Sequence, residues 1–346
     1  MNIIRSRNTL PLVIICFFTM QVFAQDIEDI SSFQFKHDEI VPSVFNSPSY
    51  NFSELKNNQF YLYASDSDSS GNGLTPEQQA KRLEIIAKMT ANPIGNAWMI
   101  WLQNDWSHLE GDFLDDNDLG GQMVNSTKFQ PVMPFPFKIG DDDWNFLVRP
   151  VLQYQSVPLS EQGGLTPSDR TSSMGDTALL TLVGPSKLDG FVWAVGATQI
   201  FDTAEEDVTG QGKYQVGPAV LVASLAKNAG GWNRGALFQH WWSQSGDEDR
   251  ADTSLTDIQY FVNYRLSTTE LVGMSPNIKY DWKAAGGQRL TLPVGLGYSN
   301  VYQLGPLPVR VAVELQYNVV RPDDLGVDWN LRFMFIPVLP NPFVEF

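Results

Sequence analysis

The chain has 346 residues, a formal net charge of −16 at pH 7 and a single cysteine. A phosphate backbone needs a basic surface, so this balance argues against nucleic acid as a partner. One cysteine excludes a disulfide framework and a cysteine-based metal centre.

Arg5 and Arg7 precede a mostly apolar run from Leu10 to Phe23, and Val22-Phe23-Ala24 has the character of a cleavage site. Residues 1–24 therefore read as a signal peptide, with Gln25 as the first mature residue. Losing it removes Cys16 and two positive charges, which takes the mature chain to about −18. Residues 25–74 are acidic and rich in Ser and Asn, and they read as an extension without a core of its own. Within it, Asp66, Asp68 and Ser70, with Glu77 at the twelfth position, partly fit a calcium loop. Gly73 stands where an apolar residue is usual, so calcium is a weak candidate. No other metal and no cofactor is expected.

Residues 75–93 form a capped helix. Thr75 is the N-cap, Pro76 takes the first helical position, and Gln78 completes a capping box. Ala80, Leu83, Ile86 and Ala87 fall on one face, and Pro93 ends the helix. That apolar face needs cover, and a plug at the mouth of a following domain is one expectation.

From residue 94 onward the chain reads as about twelve strands, from Ala97–Trp106 to Trp329–Val338, with Met174–Gly184 and Glu270–Lys283 each taken as one. In Leu307–Val320, Val309, Val311, Val313, Leu315, Tyr317 and Val319 share one parity, while Arg310, Ala312, Glu314, Gln316 and Asn318 share the other. Successive side chains of a strand point to opposite faces, so one face is apolar and the other charged. Trp144, Tyr154, Tyr264, Trp282, Tyr298, Tyr317 and Trp329 fall toward strand ends on the apolar parity. Long and short connections alternate along the chain. Both patterns favour a transmembrane antiparallel up-and-down β-barrel over a soluble sandwich. The modestly negative mean hydropathy of −0.18 suits a barrel, whose wet interior offsets its lipid face. Pro131, Pro150, Pro218, Pro276 and Pro293 are expected at bulges or strand ends.

Several short stretches resemble one family. They are Asn92-Pro93-Ile94, Gln130-Pro131-Val132-Met133-Pro134-Phe135, Asp143-Trp144-Asn145, Arg149-Pro150, Gly175-Asp176, Gly212-Lys213, Trp282-Lys283-Ala284 and the pair Tyr317–Pro322 with Asp328–Phe333. Together they look like the bacterial outer-membrane barrels labelled neuromedin U or transporter, related to barrels of the meta-pathway of phenol degradation. The resemblance covers about residues 91–338. It implies an outer-membrane location in a Gram-negative bacterium and a transport role, with aromatic or apolar solutes.

The charges on the interior parity are candidate pore-lining residues: Arg149, Asp257, Arg265, Lys279, Asp281, Arg289, Arg310, Glu314 and Arg332. Such a ring filters solutes by charge and size. The expected function is a passive pore or transporter for small molecules. Its expected partners are outer-membrane lipid, lipopolysaccharide and a small solute, with a periplasmic partner for the extension. One alternative is a structural or docking barrel with a filled lumen. A less favoured one is a barrel hydrolase, for which His240 and Ser243 would be the dyad.

Overall fold

The computed structural model describes residues 75–159, 170–305 and 307–343. The expected signal peptide, the extension up to residue 74 and the calcium-loop positions Asp66, Asp68 and Ser70 lie outside the described residues. Glu77 is exposed in the first turn of a helix.

That helix, α1, covers Pro76–Ala91. Both halves of its capping box form: Gln78 N donates to Thr75 Oγ1 at 3.3 Å, and Thr75 N donates to Gln78 Oε1 at 2.8 Å. The strands follow: β1 (Trp98–Glu110), β2 (Gln122–Ile139), β3 (Asp142–Val157), β4 (Thr171–Met174), β5 (Thr177–Pro185), β6 (Gly190–Phe201) and β7 (Lys213–Leu225). After them come β8 (Trp232–Gly246), β9 (Ser254–Arg265), β10 (Leu271–Met274), β11 (Asn277–Asp281), β12 (Leu290–Leu304), β13 (Leu307–Val320) and β14 (Gly326–Leu339). A one-turn helix, α2 (Asp112–Asp116), sits between β1 and β2.

Every pairing is antiparallel, and the sheet closes through β1, which pairs with β2 on one side and β14 on the other. β4 and β5 both pair with β3, and β10 and β11 lie together between β9 and β12. These two broken strands are the fourth and ninth staves of a closed twelve-stranded barrel. The sequence pattern showed each as one continuous strand, and the breaks at Gly175-Asp176 and Ser275-Pro276 are where the structure departs from it. No helix among the described residues is long and apolar enough to cross a membrane.

Alternation sets the two faces. Leu296 is 67% exposed, Phe191 61% and Leu315 55%, all on the outer parity. A soluble monomer does not leave a continuous apolar band of this kind open to water, whereas lipid covers it at no cost. Aromatic pairs mark both edges of the band. At the end nearer α1 they are Trp144–Trp193, Trp232–Tyr264 and the Trp98–Phe135–Phe343 trio. At the other end they are Phe201–Tyr214, Tyr280–Trp282 and the stacked His108–Trp329. Amphipathic rings settle at the headgroup level, which explains two belts rather than one.

The helix end carries the tight turns. Ile139 pairs with Asp142 across Gly140-Asp141, and Gly140 takes φ +61°, which a first-position glycine adopts without strain. The longer connections gather at the opposite end. Prolines fall where a missing N–H does least harm. The flanking pairs Phe129–Leu152 and Met133–Val148 put Pro131 opposite Pro150, so both missing donors share one gap in the β2–β3 ladder. Pro276 coincides with the β10–β11 break and Pro293 with a register shift against β13.

Val311 faces outward on β13, while Gln316 faces the interior beside Glu314. Val311→Arg is expected to cost roughly 2–4 kcal/mol if near the midplane. Gln316→Arg is expected to cost markedly less, because its guanidinium meets the Glu314 carboxylate. Urea unfolding in liposomes measures both, and comparable losses would mean the faces are reversed.

Candidate functional site

The barrel interior holds four built features: a docked helix, a charge network, two adjoining cavities and an inward loop. The helix closes the end where the chain enters. Ile85, Ile86, Ala87 and Met89 bury against Ala97, Val301 and Val338 at the ends of β1, β12 and β14. The C-terminal end of α1 is held by polar clamps. Arg310 Nη1 donates to the Thr90 carbonyl at 3.0 Å, which satisfies an orphan helix carbonyl and opposes the negative end of the helix dipole. Asn92 Nδ2 donates to the Lys187 carbonyl in the β5–β6 turn. Asn145 Nδ2 reaches the Ile94 carbonyl at 2.8 Å and Asn96 Oδ1 at 2.6 Å. Of the four residues expected on the packed face, Ile86 and Ala87 are buried and Leu83 packs beside them. Ala80 is exposed, as is the whole first turn of α1. Ile85 and Met89 take the place assigned to it.

Asp105 is the centre of the charge network. Its carboxylate accepts from Arg332 Nε at 2.8 Å, Asn330 Nδ2 at 3.2 Å, Gln103 Nε2 at 2.6 Å and Lys128 Nζ at 3.3 Å. A carboxylate offers about four acceptor sites, so it is saturated. The side chains of Asp105 and Arg332 are 7% and 8% exposed, and at that burial an ion pair holds only with its remaining groups satisfied. Arg332 Nη1 continues to the Ser275 carbonyl at 3.1 Å. Ser275, freed by the strand break, donates its N–H and hydroxyl to Glu314 at 2.9 and 3.0 Å, and Gln316 Nε2 adds a third donor at 3.0 Å. The network thus spans β1, β2, β13, β14 and the β10–β11 break. Gly295 on the interposed β12 leaves the room, since a Cβ there would stand 3.0 Å from Glu314 Oε1.

Two cavities lie along the axis. The larger, about 650 Å³, is bounded by Gln103, Asp105, Lys128, Asp257, Lys279 and Arg332 among others, within the size range of small-molecule sites. The smaller, about 110 Å³, is lined mainly by Met99, Leu147, Leu182, Leu221, Leu237 and Phe261, and its floor is Thr90, Ala91 and Pro93. Trp101, Arg149, Leu180 and Gln259 line both cavities. The interior is therefore polar toward the long loops and apolar toward the helix.

Loop 202–212 folds against interior residues at the far end. Asp176 holds it, accepting from Thr203 N and Ala204 N at 3.2 Å each and from Gln211 N at 2.7 Å. Ser173 and Thr209 share a 2.7 Å hydrogen bond, and Gln155 Nε2 donates to the Thr209 carbonyl at 3.1 Å. On the neighbouring loops, Asp252 links Lys213 and Lys283 at 3.5 and 3.2 Å. The hydrogen bond and charge of Lys283 hold the Asp252 carboxyl below its usual range.

The candidate pore residues divide by place. Arg149, Asp257, Lys279 and Arg332 border the larger cavity, Arg310 borders the smaller, and Glu314 lies in the network beside them. Arg265 lies at the helix end, donating to the Thr268 carbonyl at 3.0 Å. Asp281 and Arg289 sit at the loop rim, where Asp281 Oδ1 accepts from Lys283 N at 2.9 Å and Arg289 Nε donates to the Ala284 carbonyl at 2.7 Å. Neither borders either of the two axial cavities. Asp105 and Lys128 were missed, although their interior parity was legible in the alternation of Gln103, Asp105 and Ser107 and of Ser126, Lys128 and Gln130. The His240–Ser243 pair that the less favoured hydrolase reading would need does not form. His240 Nδ1 lies 2.7 Å from Thr256 Oγ1 and Nε2 3.4 Å from Ser254 Oγ, while Ser243 Oγ accepts from Thr253 N at 3.1 Å.

Asp105→Asn leaves Arg332 and Lys128 without their shared counter-charge and is expected to cost about 3–5 kcal/mol, the range for breaking a buried pair. Asp105→Leu combined with Arg332→Met removes the more buried pair and is expected to recover part of that loss, with Lys128 left partly exposed to the cavity. Urea unfolding in liposomes of Asp105→Leu, Arg332→Met and the double variant completes the cycle, and additive losses would show that the two groups are not coupled.

No protein-family model matches the chain, and no curated protein matches it. Among solved structures it is similar to the COG4313 outer membrane channel of Pseudomonas putida F1, at 11% identity and a TM-score of 0.53, over 71% of this chain and 96% of that one. The β domain of the Bordetella autotransporter BrkA aligns at 10% identity and a TM-score of 0.39, over 69% and 98% of the two chains. A FadL homologue of Pseudomonas aeruginosa aligns at 10% identity and a TM-score of 0.31, over 72% and 91%. At these identities the first of the three shows a shared fold: the architecture is that of a bacterial outer-membrane β-barrel.

Proposed function

We propose that this chain is a gated passage for small molecules across the outer membrane, with α1 as its gate. One observation carries this reading. The smaller axial cavity, which adjoins the larger one, ends on Thr90, Ala91 and Pro93, residues at the end of the N-terminal helix. A closure made by one docked helix is removable without breaking the sheet. It is held by one packed apolar face and by polar clamps that include Arg310 on the Thr90 carbonyl and Asn92 on the Lys187 carbonyl.

Under this reading the helix end faces the periplasm, the long loops face outward, and the apolar band meets lipid with lipopolysaccharide at the outer leaflet. The extension before residue 75 remains available to a periplasmic partner. The resemblance to the neuromedin U and meta-pathway barrels, and their aromatic or apolar solutes, belongs to the same proposal. The competing reading is a filled barrel serving as a docking or structural element. The observation favouring it is the Asp105 network, which already occupies part of the bore.

Planar-bilayer recordings separate the two. Deleting residues 25–73 is expected to leave conductance unchanged. Deleting residues 25–91 is expected to raise it clearly, with heat-modifiable gel migration confirming a folded barrel. A folded barrel that stays silent after the longer deletion would overturn the gate and favour the filled lumen.

A further inference from the structure

Arg149 stands apart from the other buried arginines of the interior. Arg332 has Asp105 and a carbonyl, and Arg310 has Thr90 and Ser299 Oγ. Arg149 has no hydrogen bond or ion pair among the described residues, and its Nε is buried without an acceptor. The opposite charge acting on it is Asp257, which lies beyond ion-pair distance and accepts Asn277 Nδ2 at 2.7 Å instead. Trp101, which shares both cavities with Arg149, also has a buried N–H without an acceptor. Two residues with unsatisfied donors therefore line the junction of the polar and apolar compartments. On the polar side stands Lys279, likewise without a hydrogen bond or ion pair among the described residues and exposed within the larger cavity. On the other side the lining is Leu182, Leu221, Leu237 and Phe261.

We propose that this junction binds a small amphiphilic carboxylate, with its anionic head on the Arg149 guanidinium and its apolar tail in the smaller cavity above Thr90. A planar carboxylate matches the guanidinium fork and accepts two parallel hydrogen bonds. A neutral apolar solute leaves the buried guanidinium unpaired, and a cation meets Arg149 and Lys279 as like charges. The tail must be short. The cavity of about 110 Å³ is smaller than the roughly 150 Å³ that takes benzene, so a slim alkyl chain fits better than a ring. The proposal rests on the gated-passage reading for how the ligand arrives, but binding and passage are separate measurements.

Full-length protein in phosphatidylcholine nanodiscs, titrated calorimetrically with hexanoate, hexan-1-ol and hexylammonium, tests it. Hexanoate is expected to bind saturably, and the other two about tenfold or more weakly. Arg149→Gln is expected to weaken hexanoate by a similar factor and leave the hexanol signal unchanged. Asp257→Asn is expected to tighten hexanoate, since it removes the competing negative charge. Arg149→Lys, which keeps the charge and loses the fork, is expected to fall between wild type and Arg149→Gln. If Arg149→Gln does not fold, the Asp257→Asn and Arg149→Lys results decide. Hexanoate affinity indifferent to these substitutions, or hexylammonium binding as tightly as hexanoate, would overturn the site. Liposome flux is read independently. Arg149-dependent binding without flux sinks the passage and leaves the site, while flux without Arg149-dependent binding sinks the site and leaves the passage.

Discussion

Hydrocarbon offers no hydrogen bonds, so each backbone N–H and C=O at membrane depth must find its partner within the protein. The pairing of β1 with β14 answers that requirement, because it leaves the sheet without an edge. Closure then dictates much else. Each strand has one face toward lipid and one toward the bore, so the charges Asp105, Lys128, Arg149, Glu314 and Arg332 all project inward. The prolines are confined by the same demand. Pro131 and Pro150 share one gap, and the Ser275-Pro276 break is repaired by Glu314, which takes the freed N–H of Ser275.

Inside the barrel, the contrast between paired and unpaired charge organises the space. Asp105 gathers four donors and fixes β1, β2 and β14 relative to one another. Arg149, on β3, is left to the cavity. The interior changes from polar to apolar at that level, and α1 closes the apolar end. The opposite end is narrowed differently, by loop 202–212 drawn in through Asp176. The two barriers are held differently: the loop is tied by several backbone bonds to one carboxylate, and the helix by packing of Ile86 and Met89 plus polar clamps.

The stretches that carry the family resemblance acquire physical roles. Asn92 and Asn145 clamp the chain between helix and barrel. Asp176 organises a loop, Lys213 and Lys283 share Asp252, and Asn330 and Arg332 bind Asp105. Except at Asp252, which is exposed, these are polar residues with buried or partly buried partners, where a substitution leaves an unsatisfied group behind.

Alternation in β13 and the aromatics at strand ends made the barrel, its strand number and its two faces legible from the chain alone, because side-chain direction along a strand is a local property. The capped start of α1 was legible for the same reason, since Thr75 and Gln78 are three residues apart. What the chain alone did not reveal is which interior charges meet. Asp105 and Arg332 are separated by most of the barrel sequence and become neighbours only through closure of β1 on β14. The exposure of Ala80, the separation of His240 from Ser243 and the rim positions of Asp281 and Arg289 were also decided by tertiary structure. Parity assigns a face but not a depth along the axis, and depth follows from register and strand tilt, which only the assembled sheet sets.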